Sequence, residues 1–181
     1  MSIFAREYNS GTFVPKNPDK CYNYNGKLPN AKPITFRSSW ERMLCTFCDE
    51  QENILAYGSE ILEIPYYSRL DNKTHKYVTD FFMVTKSRSG QIKKLVIEVK
   101  PASQAARLDE HGNLLLPPPP KKPTQRKLES WHERCLVIQR NNEKWTAAKN
   151  YCDEHGYTFK VITEKELGLA WQNWRNAMRP K

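Results

Sequence analysis

The sequence has little that would place it in a membrane or outside the cell. No apolar run approaches the roughly 18 residues that cross a bilayer, and the N-terminus, MSIFARE, has no apolar signal core. The five cysteines form an odd, scattered set, which argues against a disulfide framework. No internal repeat is visible. We expect one domain with reduced thiols that stays in the cytosol and does not contact membrane.

Acidic residues are also scarce compared with basic ones. The 181 residues include 29 Lys and Arg against 20 Asp and Glu, a net charge of +9. A basic excess favours a polyanionic partner because each phosphate contact releases counterions. Charge alone does not separate nucleic-acid binding from a basic surface without a specific partner.

An amphipathic helix is the first regular element that the sequence predicts. Its apolar stripe recurs at helical spacing and consists of Trp40, Met43, Leu44, Phe47 and Cys48. Ser38 precedes this stripe in the position of an N-cap. The residues before it are rich in Asn, Pro, Lys and Tyr and are predicted to form an extended arm or an irregular wrap.

Strand patterns follow this helix. Residues 61–66 and 77–84 predict two strands joined by a polar turn at 71–73, and therefore a hairpin. Residues 94–100 form an apolar run typical of a central strand, which Pro101 ends.

The second half of the chain predicts an insertion, a helix, a strand and a final helix. A helix is expected from Ile138 to His155, with Gly156 as its stop, followed by a strand at 157–162. The helix between the third and fourth strands implies a crossover, so the predicted fold is α/β with a mixed central sheet flanked by helices. The divisions are a 1–35 arm, 36–100 with the first helix and three strands, a 101–137 Pro/Lys-rich insertion, 138–168 completing the core, and a 169–181 basic C-terminal helix.

An acid and a base share one face of the third predicted strand. Because side chains alternate along a strand, Glu98 and Lys100 project from one face and the apolar residues from the other. A salt-bridged strand end would explain a lone Glu-x-Lys pair. Burying such groups is nevertheless unfavourable unless they are paired or hold an ion.

Two further carboxylates precede this pair in the chain. Asp80 interrupts the apolar second strand, and carboxylates on consecutive strands can converge on a hard cation such as Mg²⁺. Glu41 stands at the edge of the helix's apolar stripe. It is either the partner of Ser38 in a capping box or a third ligand, and the pattern does not choose between these roles.

Three short strings carry a resemblance to a known superfamily. They are FRSSWE at 36–41, YVTDFF at 77–82 and VIEVKP at 96–101. Together they resemble the PD-(D/E)xK nuclease superfamily, although Thr79 replaces the usual Pro before the Asp. Within it, the strings are similar to those of junction-type endonucleases and transposon nuclease subunits, and most similar to head-completion nucleases of T-even-type contractile-tailed phages. The resemblance covers about residues 35–168 and implies a restriction-endonuclease-like core of order α-β-β-β-α-β.

The resemblance also implies a metal site and a mechanism. Asp80 and Glu98, with the Val99 carbonyl and Glu41, are expected to hold Mg²⁺, for which Mn²⁺ would substitute. Lys100 is expected to position a water molecule and help to deprotonate it. Glu41, Asp80, Glu98 and Lys100 are thus the candidate catalytic residues.

The expected function is phosphodiester hydrolysis in double-stranded DNA during phage head completion, where packaged ends are processed before heads join tails. Further partners would be portal or head-neck proteins, in the host cytoplasm or in the virion. Two alternatives remain: a junction or transposon-end endonuclease with the same site, and a non-catalytic DNA-binding head-neck protein.

Several other residues have two interpretations each. Lys144 would reach the scissile phosphate or be a solvated charge, and Glu60 or Glu63 would be a further ligand or a surface charge. Cys45 and Cys48 are spaced as zinc ligands but are better explained as buried thiols. The basic N-terminal and C-terminal segments would hold backbone phosphates or be solvated tails.

Overall fold

The computed structural model describes residues 10–168 and residue 172. Within them the helices are α1 (Ser39–Glu50) and α2 (Gln125–His155), and the strands are β1 (Gly11–Thr12), β2 (Thr35–Phe36), β3 (Ile54–Ser59), β4 (Glu63–Ser68), β5 (Lys73–Val78), β6 (Phe81–Lys86), β7 (Ile92–Val99) and β8 (Thr158–Ile162). Short 3₁₀ turns span Pro18–Lys20 and Ala102–Gln104, and residues 164–168 are helical. The helix predicted at 169–181 lies outside the described residues apart from residue 172. None of the described helices has the length and apolarity to cross a membrane.

A mixed central sheet organises the molecule. Its strands lie in the order β3-β6-β7-β8. The first three are antiparallel neighbours, whereas β8 is parallel to β7, with Val99 opposite Ile162. Parallel neighbours need a crossover connection, which α2 supplies. The predicted mixed sheet, with the 94–100 strand in its interior, is confirmed.

The predicted hairpin has the right turn but a wrong second strand. β4 and β5 pair as a separate two-stranded sheet. The run predicted as one strand, 77–84, is divided at Thr79 and Asp80 between β5 and β6. Thr79 donates its N–H to the Leu62 carbonyl, whereas the Asp80 carbonyl accepts from Glu60 N–H. Because the two halves bond to different partners, Asp80 stands just before a strand and not inside one.

One strand of the central sheet was not predicted. β3 is an edge strand antiparallel to β6. Gly58 weakens the local strand pattern, and the Ile61 side chain packs over it: a Cβ atom there would lie 2.6 Å from Ile61 Cδ1, so a larger residue would force that side chain to shift. Glu60 has φ 54° and turns the chain from β3 into β4.

Apolar side chains cover both faces of the central sheet. On one face α1 packs Leu44, Cys45 and Cys48 against the sheet. On the other face α2 packs against the β4–β5 hairpin and β8, in a cluster that includes Ile64, Tyr66, Tyr77, Trp145, Ala148, Phe159 and Val161. The chain therefore has a core between α1 and the sheet and another between the sheet and α2.

The predictions for α1 are confirmed in detail. Ser38 is the N-cap, and its Oγ accepts from Glu41 N–H at 3.1 Å. Leu44 and Cys48 of the predicted stripe are buried, and Trp40 and Phe47 pack partly buried against the same cluster. The stripe therefore directs one face of α1 onto the sheet.

The helix predicted from Ile138 begins earlier, at Gln125. Thr124 caps it, and Gly156, with φ 67°, ends it in the left-handed conformation that favours glycine. The irregular part of the predicted insertion is therefore confined to residues 101–124. Polar residues at 125–137 hide this half of α2 from a pattern search that relies on apolar periodicity.

The N-terminal segment, residues 10–37, is an irregular wrap and not a solvated tail. Cys21 and Ile34 are buried in the core beneath α1. Lys20 Nζ donates to the carbonyl of Asp49 at 2.9 Å, near the C-terminus of α1. This interaction gives the Lys20 cation a structural partner within the fold.

Candidate active site

The sheet register brings Asp80 to the end of β7. Phe81 lies opposite Ile97, so one step further along the strands Asp80 meets Glu98 at the same edge. Asp80 Oδ2 accepts a hydrogen bond from Val99 N–H at 2.7 Å. The backbone of β7 thereby orients the carboxylate towards the C-terminal end of that strand.

Glu98 is a buried charge with specific partners. Its residue is 2% exposed. Oε1 lies 2.9 Å from Lys100 Nζ, and Oε2 accepts from the Tyr77 hydroxyl at 2.5 Å. A buried carboxylate needs such partners because desolvation penalises its charged form. Tyr77, which sequence reasoning did not assign to the site, is therefore part of its structure.

Lys100 completes the group at the end of β7. Its side chain is 28% exposed, and its backbone N–H donates to the Ile162 carbonyl of β8. Burial lowers the pKa of Lys100, but the Glu98 and Asp80 carboxylates outweigh burial and hold its pKa above the ordinary value. In the metal-free protein this side chain is a cation that neutralises part of the carboxylate charge.

Burial and a neighbouring carboxylate disfavour the charged form of Asp80. Burial, and then the neighbouring Glu98 carboxylate, raise the pKa of Asp80 well above its ordinary value, although Lys100 and the Val99 N–H oppose the rise. Bringing Asp80 and Glu98 together is therefore unfavourable for the metal-free fold. A cation bound between the two carboxylates would reduce their repulsion and favour the charged form of both.

Glu41 lies on the rim of the site. Its carboxylate accepts from Arg37 N–H at 2.8 Å and from the Ser38 hydroxyl at 3.1 Å, so Glu41 reaches back to the cap as the capping-box interpretation predicts, although to the N–H of Arg37 and not of Ser38. It also lines, with Val99 and Lys100, a cleft of about 320 Å³ at the end of β7. Glu41 thus has a structural role and still faces the candidate site.

The oxygen ligands at this site are of the type that a hard cation prefers, but they are few. Two carboxylates and a nearby strand-end carbonyl are the oxygen ligands that Mg²⁺ accepts, and Mg²⁺ usually keeps several waters. In the described part of the chain no three His, Cys, Asp or Glu side chains form a group that could hold one ion. Glu41 therefore does not join Asp80 and Glu98 in a single cluster, and the protein's own ligands would be Asp80, Glu98 and the Val99 carbonyl.

Lys144 of α2 is half-buried beside two tyrosines, one of which contacts Glu98. Its Nζ lies 5.5 Å from the centroid of the Tyr77 ring and 5.9 Å from that of Tyr66. Burial lowers the pKa of Lys144, with the Lys100 cation acting in the same direction and Glu98 opposing it. The interpretation as a plain solvated charge is incorrect, because Tyr66 and Tyr77 cover part of the side chain.

The remaining candidates lie apart from the carboxylates. Glu60 pairs with Arg37 at 2.5 Å, and Glu63 pairs with Lys76 at 2.6 Å, both in exposed positions. All five cysteines are free, and those of α1 are buried in its core. The thiols of α1 therefore pack as apolar groups, as expected.

The mixed sheet, its crossover helix and the paired carboxylates beside a lysine define a restriction-endonuclease-like protein. The chain belongs to the TnsA-like N-terminal endonuclease family, whose model matches residues 51–164. That range contains Asp80, Glu98 and Lys100, whereas Glu41 precedes it.

A similar protein matches most of this chain. The head completion nuclease of Enterobacteria phage T4 is 32% identical over 161 residues, a match covering 87% of this chain and 93% of that protein. The resemblance expected from the three short strings is confirmed by both comparisons.

Proposed function

We propose that this protein is a Mg²⁺-dependent nuclease that hydrolyses phosphodiester bonds in double-stranded DNA, and that it processes the ends of packaged phage DNA during head completion. The observation that carries the proposal is the convergence of Asp80, Glu98 and Lys100 at the end of β7. The printed name of the T4 relative supports the role in head completion.

Asp80, Glu98 and the Val99 carbonyl are the groups that would hold Mg²⁺, and Mn²⁺ would substitute for it. The bound ion would supply Lewis acidity to a phosphate oxygen and to water. Asp80 is oriented for this role by the Val99 N–H, and Glu98 by the Tyr77 hydroxyl. These bonds fix the direction of both carboxylates before any ligand arrives.

Lys100 would orient the attacking water and stabilise the negative charge that develops on the phosphate. Its raised pKa favours an electrostatic role over that of a neutral base in the metal-free state. Glu41, which lines the same cleft as Lys100, would orient a further water.

The direct test is cleavage of linear and closed circular DNA by the purified chain, with Mg²⁺, with Mn²⁺ or with EDTA. We expect cleavage with either metal and none with EDTA. Shortening of linear DNA while circles survive would indicate an exonuclease, whereas linearised circles would indicate an endonuclease.

Variants distinguish cleavage by this site from cleavage by a contaminating nuclease. Asp80→Ala and Lys100→Ala should each abolish cleavage with the fold retained, whereas Glu63→Gln, which removes an exposed carboxylate of the neighbouring hairpin, should cleave normally. Cleavage at the wild-type rate by both site variants would refute the mechanism. A folded wild-type chain that binds DNA but never cuts it would favour the non-catalytic head-neck role.

A junction or transposon-end endonuclease is the second candidate, and the TnsA-like family match favours it. The T4 relative, which this chain matches over 93% of that protein's length, favours head completion instead. Cleavage of branched or transposon-end duplexes in preference to plain ends would support the second candidate. Binding to portal or head-neck proteins would support the first.

A further inference from the structure

The stripe of α2 that faces the core changes character halfway along the helix. From Ile138 onwards the residues at alternating spacings of three and four are buried, namely Ile138, Asn141, Trp145, Ala148 and Cys152. The same stripe continues towards the N-terminus through Arg134, Trp131 and Lys127, where both basic residues are exposed. The first half of α2 thus presents cations on the face that the second half buries.

A proline-rich segment, residues 117–122, lies across this face and forms a cleft with it; we call this segment the strap. Trp131 Nε1 donates to the Pro117 carbonyl at 2.8 Å and so fastens the strap to the helix. The space between them is a cleft of about 490 Å³, which we call the basic cleft; its lining includes Pro118, Pro120, Arg126, Lys127, Trp131 and Arg134.

Within the part of the chain that the structure describes, the cations of the basic cleft have no acidic partner. Arg126, Lys127 and Arg134 are exposed and form no ion pair within the described part of the chain. Lys121 and Lys122 of the strap are exposed as well. Unpaired cations on a concave surface are complementary to a polyanion, and arginine binds phosphate oxygens through a bidentate fork.

The helix that carries the basic cleft also contacts the wall of the active-site cleft. Gln104 lines the active-site cleft with Lys100 and Pro101, and its carbonyl accepts from Asn141 Nδ2 on α2 at 3.0 Å. At 1.5 Å per residue, α2 extends about 10 Å from Asn141 to Arg134 and about 22 Å to Arg126. Since a duplex has one charge per 1.7 Å of axis, counting both strands, these distances span about three to seven base pairs.

We propose that the basic cleft holds the phosphate backbone of the substrate duplex to one side of the bond that is cut, about three to seven base pairs from the level of Asn141. The inference rests on the proposed nuclease function and adds a second anchoring point to it. Such contacts carry no sequence choice but fix the position of the duplex relative to Lys100 and the carboxylates.

The test compares two triple variants with equal loss of charge. The cleft variant removes three cations from the basic cleft by combining Arg126→Ala, Lys127→Ala and Arg134→Ala. The matched control combines Lys86→Ala, Arg88→Ala and Lys93→Ala. These three residues are exposed around the β6–β7 turn, at the end of β7 that lies away from the site. Measurements are the Kd of a 40-base-pair duplex in EDTA across a salt series and the kcat and KM for its cleavage in Mg²⁺.

We expect the cleft variant to bind at least about tenfold more weakly and to reduce the slope of log K against log salt by about three, one for each lost phosphate contact. Its KM should rise by a similar factor with kcat unchanged, while the control stays near wild type. Circular dichroism checks the fold, and the single variant Arg134→Ala, on an exposed residue, should show a part of the effect.

The possible failures are distinguishable. If the wild type cleaves DNA and the cleft variant matches the control in KM and salt slope, the inference is wrong and the nuclease function stands. If the wild type neither binds nor cleaves duplex DNA, the proposed function and the inference both fail.

Discussion

At the scale of single residues, the candidate site combines groups that oppose each other in the empty protein. Asp80 and Glu98 repel, and burial adds to the penalty, while Lys100 relieves only part of it. Residues chosen for stability alone would not be arranged in this way. The proposed metal ion would relieve this repulsion, so stability without metal and cleavage activity should respond oppositely to neutral substitutions here.

Asp80→Asn should stabilise the metal-free protein while abolishing cleavage. The pKa of Asp80 is raised in the folded state, so its contribution to stability is greatest at acidic pH and is lost as the pH rises above the ordinary aspartate pKa of about 3.9. The variant removes that loss and retains an acceptor for the Val99 N–H. In EDTA its Tm should exceed that of wild type at pH 8, by more than at pH 5; an equal or lower Tm at pH 8 would contradict the argument.

Tyr77→Phe should destabilise the fold through the loss of one buried hydrogen bond. Without the hydroxyl, Glu98 Oε2 loses its donor, which costs about 1–3 kcal/mol in the free energy of unfolding. Tyr67→Phe is the matched control, since its hydroxyl bonds to Asn72 in an exposed position at 3.2 Å. Urea unfolding measures both; similar small losses in the two variants would show that the Tyr77 hydroxyl has no special role.

At the scale of elements, the residues of the candidate site lie at the ends of strands and at the start of α1, and these ends fix their positions. β7 ends between β6 and β8, so the groups after its last apolar residue face the cleft that α1 and residue 104 also line. The split of the predicted second strand has a functional consequence. Because β5 leaves for the separate hairpin, Asp80 is free of a strand interior and can aim at the end of β7.

Ser38→Ala should weaken α1 at its N-terminus. The Ser38 Oγ accepts from Glu41 N–H and donates to the Glu41 carboxylate, so its removal costs about 1 kcal/mol in the free energy of unfolding. Thr46→Ala is the control on the same helix. Its hydroxyl bonds only to the Arg42 carbonyl within the helix, and alanine has the higher helix propensity, so stability should stay level or rise. Equal losses in urea unfolding would argue against the cap.

At the scale of the whole molecule, the chain combines a net charge of +9 with two hydrophobic cores around one sheet. The cores lie on opposite faces of the sheet, while the candidate site lies at the C-terminal end of the interior strand β7. Substrate can therefore approach without opening either core, and ligand binding should add to global stability.

Mg²⁺ should stabilise the whole chain against heat. A ligand that binds only the folded state at a hundred times its Kd adds about 2.7 kcal/mol, or about 5–10 °C in the Tm of a chain of this size. Differential scanning fluorimetry across a Mg²⁺ series measures the shift. Asp80→Asn should lose it, and Asp71→Asn, whose carboxylate pairs with His75 at an exposed turn, should keep it. No shift in wild type would contradict the metal site.

The sequence by itself determined the elements whose pattern is local: the capped stripe of α1, the apolar run of β7 with Glu98 and Lys100 on one face, and the Gly156 stop of α2. Only the tertiary structure decided what depends on partners distant in the chain. The division of 77–84 into two sheets, the strand at Gly58, and the contact of Tyr77 with Glu98 each result from pairing between separate segments. Periodicity records which face of an element is apolar, but it does not record which neighbour that face will meet.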